Sequence, residues 1–124
     1  MKIVKINQIS PILKDERGLF FEVLNNTEIK HVVVTTFTKN AKRGNQFRKN
    51  MDQYFFLASG KVKVVTKLME TNQSKENYMT QGSLLFIPRG LGFVTIAQED
   101  SILVECSPQE YDPKNPDVNR VEIL

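Results

Sequence analysis

The sequence predicts an all-β domain, an antiparallel sandwich or barrel. Three observations carry that reading: many short β-branched or aromatic runs, turn residues between them, and no stretch of convincing helical periodicity. Gly18 to Leu24 opens the series. His31 to Phe37 is β-branched and extended, and Gln53 to Leu57 is aromatic-rich. Lys61 to Leu68 begins with strict alternation, Lys61/Val62/Lys63/Val64, and then turns apolar. Leu84 to Ile87, Phe93 to Ala97 and Ile102 to Cys106 complete the set. Breakers separate these runs. Lys42-Arg43-Gly44-Asn45, Ala58-Ser59-Gly60-Lys61, Gln81-Gly82 and Pro88-Arg89-Gly90 read as turns, and Thr71 to Asn77 as a polar connection. Asp112 to Asn119 has room for one helical turn. The tail carries Pro108, Pro113 and Pro116, so it is expected to run extended over the surface and end in a short strand, Arg120 to Leu124.

Composition sets the outer bounds. A chain of 124 residues suits a single domain, 1–124, and its 40% hydrophobic and 25% charged content is ordinary for a globular protein. One cysteine, Cys106, allows no internal disulfide, and its apolar run reads as core. The N-terminus lacks the apolar segment of a signal peptide, and no run approaches membrane-spanning length, so a cytoplasmic location without membrane contact is expected. The net charge is +3. The densest basic stretch is Lys39, Lys42, Arg43, Arg48 and Lys49, and three readings compete for it: a solvated loop, a nucleic-acid footprint, and a pocket for a small phosphorylated ligand. A small excess and the lack of a nucleic-acid motif argue against the second.

Two spaced frames are more specific. The first reads Gly44, then Gln46-Phe47-Arg48, four residues, Gln53, six residues, Gly60. The second reads Gly82, five residues, Pro88-Arg89-Gly90, two residues, Phe93. Both resemble the paired motifs of the cupin superfamily without a gap, and that resemblance implies a cupin (jelly-roll) barrel. In metal-binding cupins the positions of Gln46, Arg48, Gln53 and Phe93 hold two histidines, a glutamate and a third histidine. An amide is a weak ligand, a guanidinium has no lone pair and a phenyl ring has nothing to coordinate with. No metal and no other cofactor is expected here. His31, the one histidine, lies outside both motifs.

Asp15-Glu16-Arg17-Gly18-Leu19-Phe20-Phe21-Glu22 resembles the D-x-R-G-x-F-x-E signature of dTDP-4-dehydrorhamnose 3,5-epimerases. In that family the arginine, phenylalanine and glutamate help to hold the nucleotide-sugar, partly across a dimer interface, which implies the same for Arg17, Phe20 and Glu22. Arg43-Gly44-Asn45 and the ending Glu110 to Asp117 resemble the C-terminal cupin of capsular nucleotide-sugar reductases. The WxcM-like sugar-nucleotide 3,4-ketoisomerases share the frame. The epimerases place their catalytic base where this chain has Gln46, which takes no proton near neutral pH.

The expected substrate-binding set is therefore Arg17, Phe20, Glu22, Arg43, Gln46, Arg48, Gln53 and Phe93, with the catalytic residues open. Gln46 and Arg48 lie two apart and share one face of a strand. Arg48 is either an anion clamp or an internal ion pair. Gln46 and Gln53 either orient a sugar or bond one another. Phe93 is more simply core than a stacking surface, and Tyr54 points outward. Glu22, Glu105 and a tyrosinate are candidate bases without geometric support from sequence. Two functions follow. One is a metal-independent epimerase or ketoisomerase of a dTDP- or UDP-linked 4-keto deoxyhexose in surface polysaccharide biosynthesis. The other is an inactive cupin that binds a nucleotide-sugar, a carbohydrate or a partner protein. A homodimer is expected, with the first 24 residues supplying a swapped edge.

Overall fold

A computed structural model describes residues 4–124. Twelve strands and no helix make up its regular structure: β1 (Lys5–Gln8), β2 (Leu13–Asp15), β3 (Gly18–Phe20), β4 (His31–Phe37), β5 (Lys42–Phe47), β6 (Gln53–Ser59), β7 (Lys61–Leu68), β8 (Ser74–Thr80), β9 (Ser83–Ile87), β10 (Leu91–Ala97), β11 (Ser101–Ser107) and β12 (Asn119–Arg120). Two five-stranded antiparallel sheets face each other, ordered β1-β9-β6-β11-β4 and β12-β5-β10-β7-β8. Among the described residues no helix is long and apolar enough to cross a membrane.

Alternation along the strands builds the core between the sheets. Phe55, Leu57, Leu85, Ile87 and Leu103 project from the first sheet, and Val62, Val64, Leu91, Phe93 and Ala97 from the second. Phe55 and Phe93 meet edge to face across this layer at 5.4 Å. Tyr54, one residue off that register, lies on the outer face against Phe86.

The strand forecast holds for the central elements and fails at four places. Lys42 to Asn45 is strand, not turn: Gly44 and Asn45 have φ of 109° and 55° because they form a bulge inside β5. Thr71 to Asn77 is only partly a connection. A tight turn at Asn72 (φ 61°) leads into β8, whose polar composition hides two inward residues, Asn77 and Met79. The Asn77 amide is satisfied by the Val64 carbonyl and Thr66 Oγ1, which allows its burial. The strand expected from Gly18 to Leu24 stops at Phe20, as the second half of a hairpin with β2. The ending contributes only Asn119 and Arg120 as strand, paired with β5. The possible helical turn is a single turn closed by Asn115 N–H on the Asp112 carbonyl. β1 and β2 escaped notice because they are short and mixed.

Cys106 is not core. It sits on the outer face of β11, half-buried, between Val32 and Tyr54 in the ladder. Inward positions on β11 alternate with it: Leu103, then Glu105.

The hairpin β2–β3 pairs with no other strand of the described chain. It exposes Ile12, Leu13, Leu19 and Phe20, with Ile12 at 62% and Phe20 at 59%. An isolated two-stranded hairpin is marginal in water.

Candidate functional site

Strand β5 carries most of the site, and its bulge decides which side chains reach it. Phe93 on β10 opposes Gln46, whereas Val94 opposes Gly44, so Asn45 is the extra residue. Residues three apart on a regular strand point to opposite faces. The bulge cancels that rule, and Arg43, opposite Thr95, and Gln46, opposite Phe93, both face the interior. Gly44 is required at this seam. A Cβ there would lie 2.9 Å from the Phe93 carbonyl oxygen and 3.0 Å from Val94 Cα. Asn45 is held from outside: its Oδ1 accepts the N–H groups of Ile123 and Leu124, and its Nδ2 donates to the Leu124 carbonyl.

The bulge opens onto a cavity of about 570 Å³ between the sheets, lined by Lys42, Arg43, Gln46, Arg48, Phe93 and Thr95 on one side and by His31, Thr35, Phe37 and Glu105 on the other. Tyr111, Val118 and Arg120 of the tail complete the rim. Its size falls within the range of small-molecule sites.

Four cations and one carboxylate surround this space. Arg43 lies over the Phe37 ring at 5.4 Å and donates to the Thr36 carbonyl. Arg48 Nη1 donates to the Asp117 carbonyl at 3.1 Å, and Arg120 Nη1 to the Gly44 carbonyl at 3.2 Å. Among the described residues none of these three arginines makes an ion pair. Arg48 Nε is buried and meets no hydrogen-bond partner. A buried donor without a partner costs about 1–3 kcal/mol, so an acceptor supplied by a ligand would recover that cost.

The tail fixes Arg48 and its loop. Asp117 Oδ1 and Oδ2 accept the N–H groups of Lys49 and Asn50 at 2.8 and 2.6 Å. Partial burial pushes the Asp117 carboxyl up, but these two N–H groups, Asn119 and the Arg48 charge outweigh it and hold the pKa below the usual aspartate value. The expectation of an extended surface tail gave no sign of this clamp, because the partners of Asp117 are 67 and 68 positions away. A second clamp joins the motif loops. Arg89 donates its main-chain N–H and Nε to Asp52 Oδ1, and Nη2 to Oδ2, which lowers the Asp52 pKa.

Glu105 is the one carboxylate of the lining. Thr35 Oγ1 donates to its Oε2 at 2.6 Å. Burial raises its pKa above the usual glutamate value, against the pull of Thr35, Arg48, Arg43 and His31. The His31 ring stacks on Tyr111, with centroids 5.1 Å apart and planes at 19°. Sequence reasoning named Glu105 and His31 without placing them. The usable signal was parity with the core positions: Glu105 is two residues from buried Leu103.

Of the eight residues expected to bind substrate, Arg43, Gln46, Arg48 and Phe93 line the cavity. Gln53 is 6% exposed and outside the lining, with a buried Oε1 that lacks a partner. Phe93 belongs to the core, 3% exposed, and also lines the cavity. Arg17, Phe20 and Glu22 lie elsewhere on this chain. Arg17 pairs with Asp15 in the exposed hairpin beside Phe20, and Glu22 is exposed after it.

A cupin metal does not fit this donor set. Arg48 puts a fixed cation among the four positions and Phe93 puts a buried ring there. Among the described residues no three histidine, cysteine, aspartate or glutamate side chains converge on a point.

No protein-family model matches the chain, and no curated protein matches it by sequence. Solved structures do match its fold. The dTDP-4-dehydrorhamnose 3,5-epimerase of Sulfolobus tokodaii is similar at TM-score 0.76 and 19% identity, over 90% of this chain and 74% of that one. QdtA, a sugar 3,4-ketoisomerase of Thermoanaerobacterium thermosaccharolyticum solved with TDP, is similar at TM-score 0.78 and 21% identity, over 94% and 87%. The capsular polysaccharide assembling protein CapF of Staphylococcus aureus matches at TM-score 0.71 and 20% identity, over 97% of this chain but 33% of its own length. The fold of this chain is therefore the cupin barrel, in the form taken by sugar-nucleotide epimerases and 3,4-ketoisomerases.

Proposed function

We propose that the cavity binds a dTDP- or UDP-linked 4-keto deoxyhexose, and that the chain is a metal-independent epimerase or ketoisomerase of surface polysaccharide biosynthesis. The observation that carries this reading is the set of arginines around one concave space, with Arg48 Nε buried and unpartnered. Guanidinium groups suit the oxygens of a diphosphate, and an arginine facing a ketone stabilises the charge that develops when a neighbouring proton leaves. Proteins that share the fold and were solved with TDP or a TDP-linked keto sugar supply the ligand class.

The hairpin supports a homodimer. It carries Arg17 and Phe20 on an arm whose apolar side chains Ile12, Leu13, Leu19 and Phe20 are 41–62% exposed, and whose strands pair with no other strand among the described residues. In this reading the arm docks on a second copy, and Arg17, Phe20 and Glu22 reach that copy's cavity.

The inactive-cupin reading has its own support, because the position that holds the catalytic base in the epimerases is Gln46 here. Binding alone does not separate the two, but exchange of substrate hydrogen with solvent does.

A thermal-shift comparison of TDP, UDP and GDP tests the ligand class. A nucleotide at a hundred times its Kd adds about 2.7 kcal/mol of stability. Stabilisation by TDP or UDP is expected, and no shift with any of the three would overturn the reading.

A further inference from the structure

We propose that Glu105 is the group that moves the proton in this cavity, in place of the histidine base of other barrels with this fold. The inference rests on the reading of the cavity as a 4-keto nucleotide-sugar site. Three observations support it.

First, position. Glu105 is the one carboxylate of the lining, on the inward face of β11 between the apolar ladder partners Val33 and Phe55. The Thr35 hydroxyl donates to Oε2 and so orients the carboxyl, and the Glu105 side chain lines the cavity.

Second, surroundings. His31 from β4, Lys42, Arg43 and Arg48 from β5 and its end, Arg120 from β12, and Tyr111 from the tail are the titratable or charged groups around the same space. The arginines favour an enediolate as its charge appears. They also hold down a carboxyl that burial would otherwise push further up. A base raised above the ordinary carboxylate value gains proton affinity.

Third, the alternatives. Gln46 takes no proton, and Glu22 does not line its own chain's cavity, so it competes only if a second copy's arm brings it there. Stacking on Tyr111 covers a face of the His31 ring and not its in-plane nitrogen lone pair, so His31 is the competing base that the Glu105→Gln comparison separates from Glu105.

The step balances without a co-reactant. Glu105 Oε1 takes the proton from C3 of the sugar, beside the C4 ketone. The C–H electron pair becomes the C3–C4 double bond, and the carbonyl π pair moves onto O4. The result is an enediolate and a protonated Glu105. Return of the proton to the same face of C3 restores the substrate, and inversion of that carbon takes a proton delivered to the opposite face by solvent while Glu105 gives up its own proton to solvent. Return of the Glu105 proton to C4, with transfer of the O3 proton to O4, gives the 3-keto isomer.

The test is deuterium uptake from D2O into TDP-4-keto-6-deoxyglucose, followed by NMR, alongside TDP thermal shifts. Wild type is expected to label C3. Glu105→Gln is expected to slow labelling by about a hundredfold or more, the usual range for loss of a general base, with the TDP shift intact. Labelling at the wild-type rate by a folded Glu105→Gln variant overturns the assignment and leaves the substrate reading standing. If wild type binds TDP but does not label, the enzyme reading falls and takes the assignment with it. Should Glu105→Gln not fold, Thr35→Val decides. Loss of its hydrogen bond raises the proton affinity of Glu105, so the pH midpoint of labelling moves up. An unchanged midpoint overturns the assignment.

Discussion

Thr35 and Glu105 are joined diagonally across β4 and β11. The main-chain register pairs Thr35 with Leu103 and Glu105 with Val33, while the Thr35 hydroxyl reaches two pairs along to Oε2 at 2.6 Å. The cross-strand bond fixes the carboxyl in a half-buried place where its charge is disfavoured. Its folded pKa is therefore raised above the ordinary 4.5. The folded protein holds this proton more tightly than the unfolded chain. The associated stability is present below the unfolded pKa and is lost as pH rises through the folded value. Glu105→Gln removes that loss, so its stability relative to wild type is expected to be higher at pH 8 than at pH 4. Urea unfolding at the two pH values checks this, and an equal difference at both would count against it.

Acid acts in the opposite sense on Asp52 and Asp117, whose pKa values lie below the ordinary 3.8. Their contribution is present above the unfolded pKa and is lost as pH falls through the folded values. Asp117→Ala also releases the Lys49 and Asn50 N–H groups, at an expected cost of about 1–3 kcal/mol at pH 7. Denaturation of wild type and variant at pH 7 and pH 3 is the measurement, with the gap between them smaller at pH 3.

The bulge is a single point of failure for the site. Gly44→Ala places a methyl group against the Phe93 carbonyl at a φ of 109°. The expected cost is about 1–3 kcal/mol. TDP binding should fall beyond what lost stability explains, because Arg43 and Gln46 share the cavity face only through this seam. A thermal melt with and without TDP separates the two effects.

Arg48→Leu distinguishes a ligand clamp from a structural cation. Its Nε has no partner, so removal of the charge should leave stability unchanged or higher. A lost charge-assisted hydrogen bond is worth about 1.5–3 kcal/mol, so TDP affinity is expected to fall roughly ten- to a hundredfold. A variant that unfolds readily but binds as wild type would make Arg48 structural.

Phe20→Ser tests the arm. Phe20 is 59% exposed and outside the buried core cluster, so the barrel should keep its secondary structure while the dimer weakens. Sedimentation at micromolar concentration is the readout. A wild-type monomer would remove the dimer.

The sequence by itself determined the fold class and the frame of the site. Alternation placed the core faces of β6, β7 and β10, because burial of one face writes period two directly into a strand. The spacing from Gly44 to Gly60 and from Gly82 to Phe93 located both motif strands, and Arg43, Gln46, Arg48 and Phe93 do line one cavity. Only the tertiary structure decided what else joins them. Glu105 lies 57 residues after Arg48 in the sequence, and Asp117 a further 12, and no local pattern links residues so far apart. The Gly44-Asn45 pair looked like a turn because turns and bulges draw on the same positive-φ residues. Only its pairing with β10 tells one from the other. Propensity reads the backbone one residue at a time, whereas a site is made by side chains that strand pairing brings to a common face.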